Sequence, residues 1–116
     1  MFLNLSHTKL DVFSVSKTLV LKCYNETKGF PSDEKFGIIS QIRRAALSVH
    51  LNITEGCSRK SLQERKRFYE IARGSLVEVD AALDIAIHLN YISAEQLIET
   101  GNLIVRTFQL ISKMIR

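Results

Sequence analysis

The sequence predicts an all-α domain of four helices, and three observations carry that expectation. One proline and five glycines in 116 residues, with no tryptophan, are too few chain breakers for a turn-dense β architecture. Leu, Ile, Ala, Glu, Lys and Arg, in which the chain is rich, favour helices. Apolar residues recur at steps of three and four along four stretches, and helix stop and start signals separate those stretches. The length fits a single domain over residues 1–116. That is enough to bury a core without disulfides, and small enough to leave apolar surface for a partner.

Residues 1 to 8 read as a short leader. Leu10, Val12, Phe13, Leu19, Val20, Cys23 and Tyr24 then mark a stripe that predicts a first helix from Lys9 to Lys28. Gly29 stands where a C-terminal cap takes positive φ, and Pro31 prevents the helix from continuing. Ser32 is the expected cap of the second helix, with Asp33 and Glu34 placed on the positive end of its dipole. That helix runs to Glu55, its apolar seam is Phe36, Ile39, Ile42, Ala46, Val49 and Ile53, and Gly56 closes it. Asn52, if it faces inward, must bond a backbone group or pay desolvation.

Ser61 and Glu64 form a capping box that opens a third helix. Phe68, Ala72, Leu76, Val79, Leu83 and Ala86 give it a seam lasting to Asn90, about 45 Å at 1.5 Å per residue. Gly74 near its middle predicts a close helix contact or a bend, with a plain tolerated glycine as the alternative. Asn90 and Tyr91 form the turn, and Ser93 with Gln96 is a second capping box before a fourth helix that runs to the C-terminus. Leu97, Gly101, Ile104, Phe108, Ile111 and Ile115 make its seam. Ile98, Leu103, Val105, Leu110 and Met114 carry apolar character around the cylinder, more than one core face needs. Self-association accounts for that surplus, with a wide bundle seam as the alternative.

Net charge is +4, compatible with an anionic partner but also with simple solubility. The positive excess is concentrated, since Arg43, Arg44, Arg59, Lys60, Arg65, Lys66, Arg67 and Arg73 are half of the chain's basic residues and face only Glu55, Glu64 and Glu70 within the same window. Such a cluster can neutralise phosphates and release counterions, which points to nucleic-acid binding. The alternative is a solvated face with i, i+4 and i, i+3 pairs at Lys66–Glu70 and Glu70–Arg73. No base-reading motif is present, so binding would be led by shape and phosphate. Phe68 and Tyr69 could stack bases, although at least one belongs to the core by position.

Catalysis and metal binding find no support. Cys23 and Cys57 lack ligand spacing, His7, His50 and His88 are far apart, and Ser48, His50 and Glu55 project from different sides of one helix. No cofactor is implied. The N-terminus lacks a signal peptide's charged start and apolar core, and no run of eighteen apolar residues occurs, so a cytoplasmic protein without a membrane partner is expected.

The run from Glu34 to Gly56, with the pattern FG-I-x-SQIRRAA-x-SV-x-x-NI-x-EG, resembles the bacterial 23S rRNA intervening-sequence protein family of four-helix bundles. FYEIARGSLVEVDAALDIAIHLNYI, from Phe68 to Ile92, resembles that family's third helix and following turn. The resemblance implies an antiparallel up-and-down four-helix bundle that assembles into a ring-like homo-oligomer, a homopentamer, with a basic surface for nucleic acid. Gln41, Arg43, Arg44, Asn52, Glu55, Gly56, Arg73, Gly74 and Ser75 match the family pattern. His50, Leu51 and Thr54 depart from it, which weakens the bend the pattern implies there. The family's setting implies rRNA, other structured nucleic acid or a reverse transcriptase as partner. The leading expectation is a non-enzymatic oligomeric nucleic-acid-binding protein. The alternative is a protein-interaction module or scaffold whose positive charge is incidental.

Overall fold

The helical periodicity produces four α-helices, described over residues 1–116 in a computed structural model: α1 (Asp11–Thr27), α2 (Ile38–Ser58), α3 (Leu62–His88) and α4 (Ile98–Ile115). Short 3-10 turns at Ser6–Lys9, Ser32–Glu34 and Glu95–Leu97 lead into α1, α2 and α4. Cross-helix bonds fix the topology. Ser16 meets His50 and Thr27 meets Arg43; Gln41 meets Glu78 and Ser48 meets Ser75; Arg73 meets Ser112, and Lys22 meets Glu99. Residues later in one helix meet residues earlier in its neighbour, so the neighbours run antiparallel in an up-and-down four-helix bundle.

The core is one layer of side chains between the helices. Leu19, Ile42, Ile53, Leu76, Val79 and Ile111 are almost wholly removed from water. α2 and α3 form the most extensive pairing because Ala45, Ala46 and Gly56 on α2, with Ala72 on α3, let the backbones approach. A Cβ on Gly56 would lie 2.6 Å from the Tyr69 ring and 3.1 Å from the Phe68 Cβ. The expected cap at Gly56 is therefore corrected: α2 continues through it to Ser58, and its lack of a side chain seats the Tyr69 ring. Gly74 is the reverse case. A Cβ there would meet nothing within 4 Å, so neither the expected close contact nor a bend is needed to explain it.

Other boundaries differ for local reasons. No glycine takes positive φ, so Gly29 is not the left-handed cap of α1. Arg43 does that work, donating from its guanidinium to the Tyr24 carbonyl at 3.2 Å and to Thr27 Oγ1 at 2.8 Å, a cation on the negative end of a helix dipole. The left-handed residue is Asn90, at φ 63. It completes a Schellman motif in which its amide bonds Ile87 and the Tyr91 amide bonds Ala86, at 2.9 and 3.0 Å. Ser32 does not cap α2, whose first turn opens at Gly37 without a side-chain cap. Phe36, expected in the seam, is exposed.

The two capping boxes differ. Ser93 and Gln96 bond reciprocally, whereas Ser61 accepts from the Glu64 amide without a return bond. In α4 the buried positions are Thr100, Ile104, Thr107 and Ile111, and Leu97 is buried in the turn just before it. Threonines thus take places assigned to Gly101 and Phe108, and Thr107 satisfies its hydroxyl on the Leu103 carbonyl at 2.6 Å. No helix is long and apolar enough to cross a membrane.

Thr100 donates its hydroxyl to Glu26, whose other carboxylate oxygen is sealed from water without a partner. Burial therefore holds the Glu26 carboxyl above the ordinary carboxylate range, against the opposing pull of Thr100 and Lys22. A raised pKa in the folded state means that the fold binds more protons than the unfolded chain, so stability falls as pH rises from the unfolded to the folded value. Glu26→Gln, which can still accept from Thr100, is expected to raise the melting temperature at pH 7. The gain should shrink as pH falls through the ordinary glutamate range and disappear below it, where the wild-type carboxyl is protonated in both states. Thermal melts of both proteins across that range check it.

Candidate nucleic-acid interface

The antiparallel order brings the α2–α3 turn, the amino-terminal turn and the carboxyl end of α4 to one end of the bundle. Arg59, Lys60, Arg65, Lys66 and Arg67 surround that turn, and Lys113 and Arg116 lie at the end of α4. The opposite half holds Glu26, Asp33, Glu34, Glu78, Asp80, Asp84, Glu95 and Glu99 against Lys22, Lys28, Lys35, Arg43 and Arg44. A sequence with only a modest net charge thus folds into a bundle that is positive at one end and negative in the other half.

The eight predicted cations fall into three groups. Lys60, Arg65, Lys66 and Arg67 make no ion pair with any carboxylate, and the anticipated Lys66–Glu70 and Glu70–Arg73 pairs do not form. Arg65 bonds the Arg59 carbonyl through Nε at 2.6 Å, which holds its guanidinium at the turn. Arg59 bonds Glu55 and lies over the Phe68 ring at 5.0 Å. Arg44 is exposed on α2, away from the turn.

Arg43 and Arg73 belong to neither place. Besides capping α1, Arg43 stacks on Tyr24 at 4.9 Å. Arg73 joins α3 to α4 through Ser112 at 3.2 Å and sits over Phe108 at 5.8 Å. Both are engaged between helices, which spacing along the chain could not reveal because their acceptors come from other helices. Of the two aromatics, Tyr69 is buried and donates to Cys57 Sγ at 3.5 Å, while Phe68 is half-buried beneath Arg59.

The remaining motif residues form a polar link between α2 and α3. Asn52 donates to the Ser48 carbonyl at 2.8 Å and to its hydroxyl at 3.0 Å, and Ser48 and Ser75 share a bond of 2.9 Å. Gln41 donates to Glu78 at 3.3 Å farther along the same seam. The backbone bond expected of Asn52 is thus present, with a relay to α3 that the sequence did not signal.

Ser48, His50 and Glu55 do not converge. Ser48 faces α3, Glu55 pairs with Arg59, and His50 turns to α1, where Nδ1 meets Ser16 Oγ at 2.8 Å and the ring packs on Phe13 at 4.7 Å. Burial, then Lys17 and His7, keep the His50 imidazole below its usual pKa. His7 also packs on Phe13, at 5.5 Å, fastening the first 3-10 turn to the bundle. Cys23 is buried beside Glu26, its thiol pushed up to about 12, first by burial and then by that carboxylate. No group of three or more His, Cys, Asp or Glu side chains is arranged to hold a metal ion.

A family model described as 23S rRNA-intervening sequence protein matches residues 8–114. A crystal structure of a protein of unknown function from the S23 ribosomal protein family, from Bacteroides thetaiotaomicron, aligns with a TM-score of 0.81 at 22% identity, covering 90% of this chain and 98% of that chain. At that identity the likeness establishes the fold. No curated protein matches the sequence.

Proposed function

The chain belongs to the 23S rRNA-intervening sequence protein family, and from that membership we propose that it is a non-catalytic, self-associating cytoplasmic bundle that binds structured RNA through the positive end. The observation that carries this reading is the cluster of Lys60, Arg65, Lys66 and Arg67 at one turn, none of them neutralised by a carboxylate. Arg59 flanks them, stacked over the Phe68 ring. These cations would displace the counterions condensed on the phosphates of a folded RNA, and the absence of a base-reading motif makes recognition depend on shape. Arg44 is a separate exposed cation away from this end, while Arg43 and Arg73 support the helices.

Self-association as a ring of five copies is part of the same proposal. Ile98, Val105 and Phe108 on α4 remain exposed in the single chain, which supports it. Fluorescence anisotropy with a labelled RNA hairpin tests the binding, and saturation near micromolar protein is expected at moderate salt. No binding there would favour the alternative, a protein-docking module acting through the apolar face of α4. Light scattering on a sizing column tests assembly, with a multiple of 13.2 kDa expected and a clean 13.2 kDa species contradicting it.

A further inference from the structure

Between α3 and α4 the bundle leaves an apolar groove. Leu76, Leu83 and Ile104 form its floor, and the exposed Val77, Val105 and Phe108 form its walls. Two adjoining cavities of about 510 and 220 Å³ share Asp80, Gly101 and Ile104, so they are parts of one channel. Gly101 keeps it open, since a Cβ there would meet nothing within 4 Å. The rim is acidic. Asp80 has no ion pair, and Asp84 has only His88 of its own helix at 3.7 Å. The groove therefore suits an apolar segment carried by a positively charged body.

The chain itself has such a segment. Met1, Phe2 and Leu3 are 70%, 108% and 65% exposed, and Leu5 is close to half exposed, so this chain leaves much of their apolar surface open. They project from the positive end, next to the turn whose Ser6 lies beside Arg65 and Tyr69. The segment cannot reach the acidic part of its own groove. Arg65 to Asp80 along α3 spans about 22 Å, whereas five extended residues reach about 17 Å.

We propose that residues 1–5 of one copy dock into the α3–α4 groove of a second copy, so that the positive end of each protomer meets the acidic half of the next. This deepens the self-association reading above and rests on it. The contact joins two different surfaces, so each copy retains a free segment at one side and a free groove at the other. Repetition then closes a ring or extends a filament.

Two variants separate the halves of this contact. Phe2→Glu with Leu3→Glu spoils the segment and leaves the groove intact. Gly101→Leu fills the groove and should melt no lower than the wild type, because there is space for the side chain and leucine is the better helix former. Light scattering is expected to show each variant alone at 13.2 kDa and an equimolar mixture of the two as a dimer. In that dimer the intact segment of one occupies the intact groove of the other. A wild-type multimer whose mass survives in either variant, or variants that stay monomeric when mixed, would overturn the docking while leaving self-association standing. A monomeric wild type would overturn both.

Discussion

Gly56→Leu is expected to destabilise the bundle by about 3 kcal/mol, lowering the melting temperature by about 10 °C or more. The Cβ alone would stand 2.6 Å from Tyr69 Cε1 and 3.1 Å from Phe68 Cβ. Neither obstacle moves easily. Tyr69 is buried with its hydroxyl on Cys57, and the Phe68 Cβ is fixed to the α3 backbone. Relief requires α2 and α3 to separate, which would strain the Asn52–Ser48–Ser75 link in the same interface. Gly74→Ala is the control. It lies on an exposed face with nothing within 4 Å of the added methyl, so it should stabilise by about 1 kcal/mol through helix propensity alone. Thermal melts of the two variants should move in opposite directions, and a common direction would refute the different roles assigned to the two glycines.

Replacing Lys60, Arg65, Lys66 and Arg67 together by Gln is expected to weaken binding to an RNA hairpin by two to three orders of magnitude. Each phosphate released from a cation forfeits about 1 kcal/mol of counterion release near physiological salt, so four contacts approach a thousandfold. Folding should be spared, because none of the four makes an ion pair and only Arg65 makes a side-chain bond, to the Arg59 carbonyl. Circular dichroism and the melting temperature of the variant separate loss of binding from loss of fold. Arg43→Gln provides the contrast. It should lower stability through the lost cap on α1 while changing RNA affinity much less. An unaltered affinity in the fourfold variant would move the site away from the turn.

Periodicity sufficed to place the four helices and most of their cores, because an apolar step of three or four leaves few alternatives to a buried face. It misassigned neighbours one position apart. Tyr69 is buried where Phe68 was expected, and Thr100 and Thr107 are buried beside the positions assigned to Gly101 and Phe108. A helical threonine can satisfy its hydroxyl on its own backbone, as Thr107 does, so its polarity gave no warning that it faced inward. Caps depended on tertiary partners. Gly29 looked like the end of α1, but the side chain that serves that end is Arg43 from the next helix. The same limitation affected the cations. Arg43 and Arg73 were indistinguishable in sequence from Arg65 and Arg67, and only the positions of Tyr24, Thr27 and Ser112 set them apart. The opposite charge of the two halves was present in the residues, but became legible only once antiparallel order placed the α2–α3 turn beside the end of α4.

The most direct test of phosphate binding by the positive end is the affinity for a structured RNA at 50 and 200 mM salt, measured on the wild type and on the fourfold Gln variant. The wild-type affinity should fall steeply over this range, with log K declining by close to one unit per log unit of salt for each phosphate contacted, and the slope should flatten in the variant by about three to four such contacts. A wild-type affinity indifferent to salt, or an equal slope in the two proteins, would contradict binding through these cations.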